Sequence, residues 1–150
     1  MDLSISATIT KIASAINEGT KDEEQRKRFF ILECRHNLGV LNIASWKGNS
    51  AEMKYHVLMH LNSEICENLL KHFKNNIFHF TTDAINKLFV DEDEEQFEGK
   101  DLFIKIITKI QMIKIIAGLP ENLRVFDNAN IEKRIENLRN NLISILKEIN

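Results

Sequence analysis

The segment from Asp22 to Trp46 constrains the fold of this chain more than any other. Its apolar residues recur at intervals of three and four, which is the spacing of one face of an α-helix. Glu33 and Asn37 fall on that same face, and His36 lies on its flank beside Glu33. A carboxylate or an amide on an apolar face is costly unless it is hydrogen-bonded. The apolar residues of this face are Phe30, Cys34, Val40, Leu41 and Ala44.

Two interpretations of this polar cluster are open. In the first, its side chains form a hydrogen-bonded network that fixes how the helix packs on its neighbours. In the second, they border a pocket for a ligand or for catalysis, and the candidate ligand-binding residues are then Glu33, Arg35, His36 and Asn37. Arg35 lies on the far side of the helix. We favour the first interpretation, and expect Glu33 and Asn37 to be buried and hydrogen-bonded to each other, to His36 or to a neighbouring helix.

Residues that form turns are scarce, because the chain has one proline, Pro120, and only five glycines. A β-sandwich would need more of them, so we predict an all-α fold. The chain has 150 residues, of which 43% are hydrophobic, and that suffices for one substantial core. We therefore expect a single domain over residues 1–150. The predicted architecture is an antiparallel bundle of five or six helices, four of them long.

Apolar residues at helical spacing locate these helices along the chain. A first helix is predicted over residues 3–18, and a short helix ends at Phe89. Asn62 and Ser63 could divide one of the long helices into two, because both residues favour turns and helix caps. The four long helices are predicted at residues 22–46, 51–73, 102–119 and 129–149.

Two of the predicted helices carry more apolar surface than a small bundle easily hides. Leu102–Leu119 is rich in isoleucine and has only a narrow polar stripe, while the last helix has apolar residues at alternating spacings of four and three, as in a heptad seam. We therefore expect a non-enzymatic protein that oligomerises or joins a larger complex through helices 102–119 and 129–149. The seam consists of Ile131, Ile135, Leu138, Leu142, Ile145 and Ile149.

Charge and cysteine content bound the environment of the protein. The formal net charge is −2, so bulk attraction to nucleic acid or to an anionic membrane is not indicated. Three lysines interrupt Leu102–Leu119, which argues against a membrane span. Cys34 and Cys66 fall on apolar helix faces, no disulfide framework or signal peptide is indicated, and we expect a cytoplasmic location. The acidic run over residues 91–98 is expected to be a solvated loop or a frayed helix end.

A metal-binding bundle is an alternative function. His56 and His60 are four residues apart, so two imidazoles on one helix face could share a metal ion. Their face points away from Leu58, and we expect both histidines at the surface. Glu33 and His36 also form half of the paired Glu-x-x-His pattern of di-iron four-helix proteins, but the chain has no second copy. We expect no cofactor.

The helical character and the adjacent Arg35 and His36 resemble, in fold class, the HEPN class of helical ribonucleases and nucleotide-binding domains. That class carries an arginine, four to six intervening residues and then a histidine. In this chain no arginine precedes a histidine by that interval, so the resemblance assigns no catalytic residue. The other alternative function is a small-molecule, nucleotide or RNA-processing domain, similar to that class, with a polar site around Glu33, Arg35, His36 and Asn37.

Overall fold

The computed structural model of the protein describes residues 5–16, 22–73, 99–124 and 128–149. Within these ranges the chain forms helices joined by short connections and contains no strand, so the predicted all-α fold is confirmed. The predicted short helix ending at Phe89 and the acidic run over residues 91–98 lie outside the described residues. The helices are α1 (Ile5–Ala15), α2 (Glu23–Ala44), α3 (Ala51–Leu58), α4 (Glu64–Phe73), α5 (Gly99–Ala117), α6 (Glu121–Arg124) and α7 (Asn128–Ile149).

Three of the described helices are long, and the fourth predicted long helix is divided. Helices α2 and α7 have 22 residues each and α5 has 19. The prediction of one continuous helix over residues 51–73 was wrong, because α3 ends at Leu58 and α4 begins at Glu64. The break includes Asn62 and Ser63, the two residues whose caps and turns made a division possible.

Side-chain caps set the beginnings of two helices. The Asp22 side chain accepts a hydrogen bond from the Glu24 backbone N–H, which fixes the first turn of α2. Ser50 does the same for α3 by accepting from the Met53 N–H at 3.2 Å. These caps satisfy backbone donors that have no partner inside the helix.

The buried apolar side chains form one continuous core around α2, which packs against α1, α3, α4 and α7. The rings of Phe30 on α2 and Phe103 on α5 lie 4.9 Å apart between centroids. The heptad-like seam of α7 is part of this core. Its residues Ile131, Ile135, Leu138, Leu142 and Ile145 are at most 1% exposed, and Ile149 is half-buried. The seam is therefore covered by the chain's own helices.

Polar contacts on the outside tie α7 to its neighbours. The Lys54 ammonium on α3 forms an ion pair with Glu132, and the Arg139 guanidinium donates to the Asn42 side chain on α2 at 2.6 Å. None of the helices that the structure describes is long and apolar enough to cross a lipid bilayer.

Candidate functional site

Glu33 lies near the middle of α2, and its side chain is completely buried. Its two carboxylate oxygens accept hydrogen bonds from the first turn of α4, one from the Ile65 N–H at 2.7 Å and one from the Cys66 N–H at 3.0 Å. These are donors that a helix leaves without an internal partner, at the end where its dipole favours negative charge. Glu33 therefore caps α4 from a neighbouring helix.

Asn37, one helical turn after Glu33, binds the connection that precedes α4. Its side-chain amide donates to the Asn62 carbonyl oxygen at 2.7 Å, and its side-chain oxygen accepts from the Asn62 N–H at 2.8 Å. The Asn62 side chain in turn accepts from the Glu64 N–H at 2.8 Å. Both backbone groups of a buried residue in irregular structure are thus paired, as burial requires.

His36 binds the same connection further upstream. Its Nε2 lies 2.8 Å from the His60 carbonyl oxygen. Since a carbonyl can only accept, Nε2 carries the proton. Nδ1 is buried and has no hydrogen-bond partner within the described residues. Glu33, His36 and Asn37 therefore form one row along α2 that fixes residues 60–66.

Burial shifts the protonation equilibria in this row. Desolvation raises the pKa of the Glu33 carboxyl to about 7, against the opposing effect of its hydrogen bonds to Cys66 and Ile65. Desolvation lowers the pKa of His36, which keeps the ring neutral. Burial also raises the pKa of the Cys34 and Cys66 thiols, and the nearby Glu33 adds to both shifts. These thiols stay protonated and unreactive.

The row is closed to solvent, and its polar side chains are hydrogen-bonded to protein backbone. Glu33, His36 and Asn37 are 0%, 3% and 1% exposed. The carboxylate and amide groups face the connection and the start of α4, in the hydrogen-bonded arrangement that the first interpretation of the sequence predicts. Arg35 is exposed and does not join the row. The geometry thus brings together three of the four candidate ligand-binding residues and gives them structural partners.

His56 and His60 lie close together at the end of α3. Their rings are 5.9 Å apart between centroids and nearly perpendicular. The prediction that one helix face carries both was wrong, because α3 ends at Leu58 and His60 lies in the turn beyond it. His56 is exposed and His60 half-buried. Among the described residues, no group of three or more histidine, cysteine, aspartate or glutamate side chains is placed to hold a metal ion.

Three of the exposed large apolar side chains in the described part of the chain lie on α5. We define its outer face as Ile104, Thr108, Met112 and Ile115, which lie within about 80° of one another around the helix. Ile104, Met112 and Ile115 are 46%, 39% and 62% exposed. Sequence reasoning identified α5 as unusually apolar but did not locate this face, because the spacing alone does not show which neighbours cover which side.

A shallow groove runs beside the outer face, between α4 and α5. Its volume is about 360 Å³, and half-buried Leu70 and Ile107 are part of its lining. The remaining lining residues of the groove are Glu67, Lys71, Ile104 and Thr108.

At the other end of α5, the Met59 sulfur lies 3.8 Å from where a Cβ on Gly118 would stand, and Met59 is 45% exposed.

Comparison of the chain with protein-family models, with curated proteins and with solved structures gave no match. Its function must therefore be inferred from its own residues. Of the features above, the row on α2 has structural partners, whereas the outer face of α5 is apolar, exposed and extends over three helical turns. That face is the stronger candidate for function.

Proposed function

We propose that this protein is a helical interaction protein that binds another protein chain through the outer face of α5. The observation that carries the proposal is the alignment of Ile104, Met112 and Ile115 on one exposed face. Apolar side chains scattered singly over a surface are ordinary, but several large ones on one exposed helix face are typical of a binding surface. The groove beside the row supplies a place where a partner's side chain could be buried.

The other candidate surface supports this choice. No large apolar side chain described on α7 is exposed, since the seam packs inside the chain. Of the two helices expected to mediate assembly, α5 is therefore the one that can do so without rearrangement of the fold. The partner is another copy of the chain or a different protein, and the role requires no cofactor.

The proposed location is the cytoplasm. Cys34 and Cys66 are both free and buried, and neither is paired in a disulfide. A protein that keeps its thiols reduced and whose stability comes from a single apolar core suits a reducing compartment.

Site-specific photo-crosslinking in cells tests the proposed function. A photoreactive phenylalanine analogue at position 115 should give discrete crosslinked protein adducts. The same analogue at position 35 is the matched control, because Arg35 is also exposed on a long helix but lies outside the apolar face. Adducts at position 115 and not at 35 would support a protein-binding role for this face.

Light scattering at micromolar concentration then separates the two kinds of assembly. A dimer or larger species that is lost in Ile115→Ser would show that the partner is another copy. A monomer, together with adducts of a different mass at position 115, would show a different protein. Absence of adducts at position 115 combined with a strictly monomeric chain would overturn the proposed function.

A further inference from the structure

The first half of the connection between α3 and α4 is a tight turn over residues 59–61. Each of its backbone N–H groups donates to the carbonyl oxygen three residues earlier, at 3.0 to 3.3 Å. His36 joins this turn to α2, since its Nε2–H donates to the His60 carbonyl oxygen at 2.8 Å. The other members of the row on α2 bind residues 62–66, which follow the turn. Within the row, His36 is therefore the residue that holds the turn.

The second ring nitrogen of His36 is placed where a proton is costly. Nδ1 is buried without a hydrogen-bond partner among the described residues, and the whole side chain is 3% exposed. A proton on Nδ1 would put an unpaired N–H donor and a positive charge into the interior, and both are unfavourable there. A protonated ring would therefore leave its position, and the hydrogen bond to the His60 carbonyl would break.

The surroundings of His36 oppose its protonation. Burial lowers its pKa, the hydrogen bond to the His60 carbonyl acts in the other direction, and the charge of the His60 ring lowers the pKa again. His56 of α3 lies behind His60, with 5.9 Å between the ring centroids. Within the described part of the chain, α1, α5 and α7 contribute no charge to the pKa shift of His36.

The carboxyl of Glu33, one turn earlier on α2, does not compensate a charge on His36. Burial raises the pKa of Glu33 to about 7, so this carboxyl is largely neutral at the lower pH where His36 would gain a proton. From α4, Cys66 and Glu67 act on Glu33. Burial raises the pKa of the Cys66 thiol, which stays protonated as well. A proton on His36 would thus meet no anionic partner in the row.

We propose that His36 is a pH-sensitive switch that holds the turn over residues 59–61 against α2 when neutral and releases it when protonated. At neutral pH the burial of Leu61, which is 1% exposed, opposes release. The opening is local, because residues 62–66 keep their own bonds to α2. Met59 would move with the turn, and its sulfur now lies 3.8 Å from where a Cβ on Gly118 would stand, so the end of α5 would gain exposure.

The direction of the pH effect follows from the lowered pKa. In the open turn the ring is in water and has an ordinary pKa of 6.5, so it binds a proton more readily than in the closed turn. As the pH falls from 6.5 towards the lowered pKa, opening becomes up to about tenfold more favourable for each pH unit. Above pH 6.5 the opening equilibrium no longer depends on this ring.

Hydrogen–deuterium exchange of the unaltered protein, followed by NMR, tests the switch. Buffers contain EDTA, and rates are corrected for the intrinsic pH dependence of amide exchange. We expect the amides of residues 59–61 to lose at least about fivefold of their protection between pH 6.5 and about 5. The Cys66 amide, which Glu33 binds, and the Leu138 amide in the core of α7 should lose less, since neither is released with the turn.

Two histidine variants separate the switch from other titrations. His36→Gln keeps a donor for the His60 carbonyl but does not titrate, so protection of the turn should become independent of pH in this range. His56→Gln is the matched control, because His56 is an exposed histidine beside the same turn and is not part of the row. This variant should keep the pH dependence of wild type.

The imidazole nitrogen signals of wild type give a second readout that needs no substitution. His36 should carry its proton on Nε2 alone at neutral pH, and its titration should fall below pH 6.5, in the range where the turn opens. A ring that titrates at or above pH 6.5 would overturn the proposed switch, because burial would then not oppose the proton.

Three exchange results would also overturn the switch. The first is a turn whose protection does not change with pH, and the second is a pH dependence that survives in His36→Gln. The third is a loss of equal size at Leu138, since that result shows acid unfolding of the whole chain. The switch is independent of what the outer face of α5 binds, so none of these results bears on the proposed function.

Discussion

The side chain of Asn37 pairs with both backbone groups of Asn62, donating to its carbonyl oxygen and accepting from its N–H. Asn37 is 1% exposed and Asn62 is 7% exposed, so water does not replace these bonds when one partner is removed. We therefore expect Asn37→Ala to lower the free energy of unfolding by about 1–3 kcal/mol, because two buried backbone groups lose their partner. Urea denaturation followed by circular dichroism measures this change.

Asn42→Ala is the control on the same helix. Asn42 is exposed and accepts a hydrogen bond from Arg139 at the surface, so its loss should change stability by no more than about 0.5 kcal/mol. Asn37→Leu should not restore stability, since leucine fills the space but leaves the Asn62 groups unpaired. Equal stabilities of wild type and Asn37→Ala would contradict the structural role of the row.

Glu33→Gln should change how stability depends on pH. The pKa of Glu33 is raised from 4.5 to about 7 by burial, so the folded protein holds a proton that the unfolded chain releases at lower pH. The contribution of Glu33 is fully present below pH about 4.5 and is lost as the pH rises through about 7. Wild type should therefore lose on the order of 3 kcal/mol relative to Glu33→Gln across this range. Melting temperatures at half-unit pH steps measure the difference, and parallel curves would contradict it.

His36 should act in the opposite direction. Burial lowers its pKa from 6.5, so the unfolded chain binds a proton more readily than the folded protein. The contribution of neutral His36 is fully present above pH 6.5 and is lost as the pH falls through the folded pKa. His36→Gln keeps a donor for the His60 carbonyl but does not titrate. We expect this variant to lose less stability than wild type between pH 6.5 and 5, measured by thermal melts.

The seam of α7 should contribute to stability of the single chain. Leu138 is completely buried, so Leu138→Ala should cost about 2–5 kcal/mol through lost burial and the cavity left behind. Ile115→Ala removes a large apolar side chain that is 62% exposed and should change stability by less than about 1 kcal/mol. Urea denaturation of both variants at a concentration where the protein is monomeric makes the comparison. Similar losses of unfolding free energy at the two positions would show that Ile115 is buried within the monomer.

The His56 and His60 pair should be dispensable for folding. His56 is exposed and His60 half-buried, and only the backbone of His60 takes part in the row on α2. The double variant His56→Ala, His60→Ala should therefore have a free energy of unfolding within about 0.5 kcal/mol of wild type, measured by thermal melts. The measurement is repeated with added zinc. A zinc-dependent rise in melting temperature that the double variant abolishes would instead support the metal-binding alternative.

The periodicity of the sequence was sufficient for the helices and for much of the core. The seam from Ile131 to Ile145 has an unbroken spacing of four and three, and each of its residues is buried. The polar row was also predictable, because Glu33 and Asn37 fall on the apolar face of α2 and burial then requires partners. The identity of those partners was not predictable, since they are backbone groups about 25 to 33 residues further along the chain.

The break between α3 and α4 shows the limit of what the local sequence pattern determines. Residues 51–73 have the apolar spacing of one helix, and the propensities of Asn62 and Ser63 only weakly oppose it. The tertiary structure favours two helices over one, because Glu33, His36 and Asn37 satisfy the backbone groups that the break leaves without helical partners. That compensation comes from another helix and is invisible in the local sequence.

The sequence by itself determined that this protein is helical and which residues are apolar at helical spacing, because those properties depend on neighbours three and four positions away. Only the tertiary structure decided what each apolar face meets. It covered the seam of α7 with the chain's own helices and left Ile104, Met112 and Ile115 of α5 exposed. The physical reason is that burial depends on how helices distant in sequence pack together, and a single helix's periodicity carries no information about that packing.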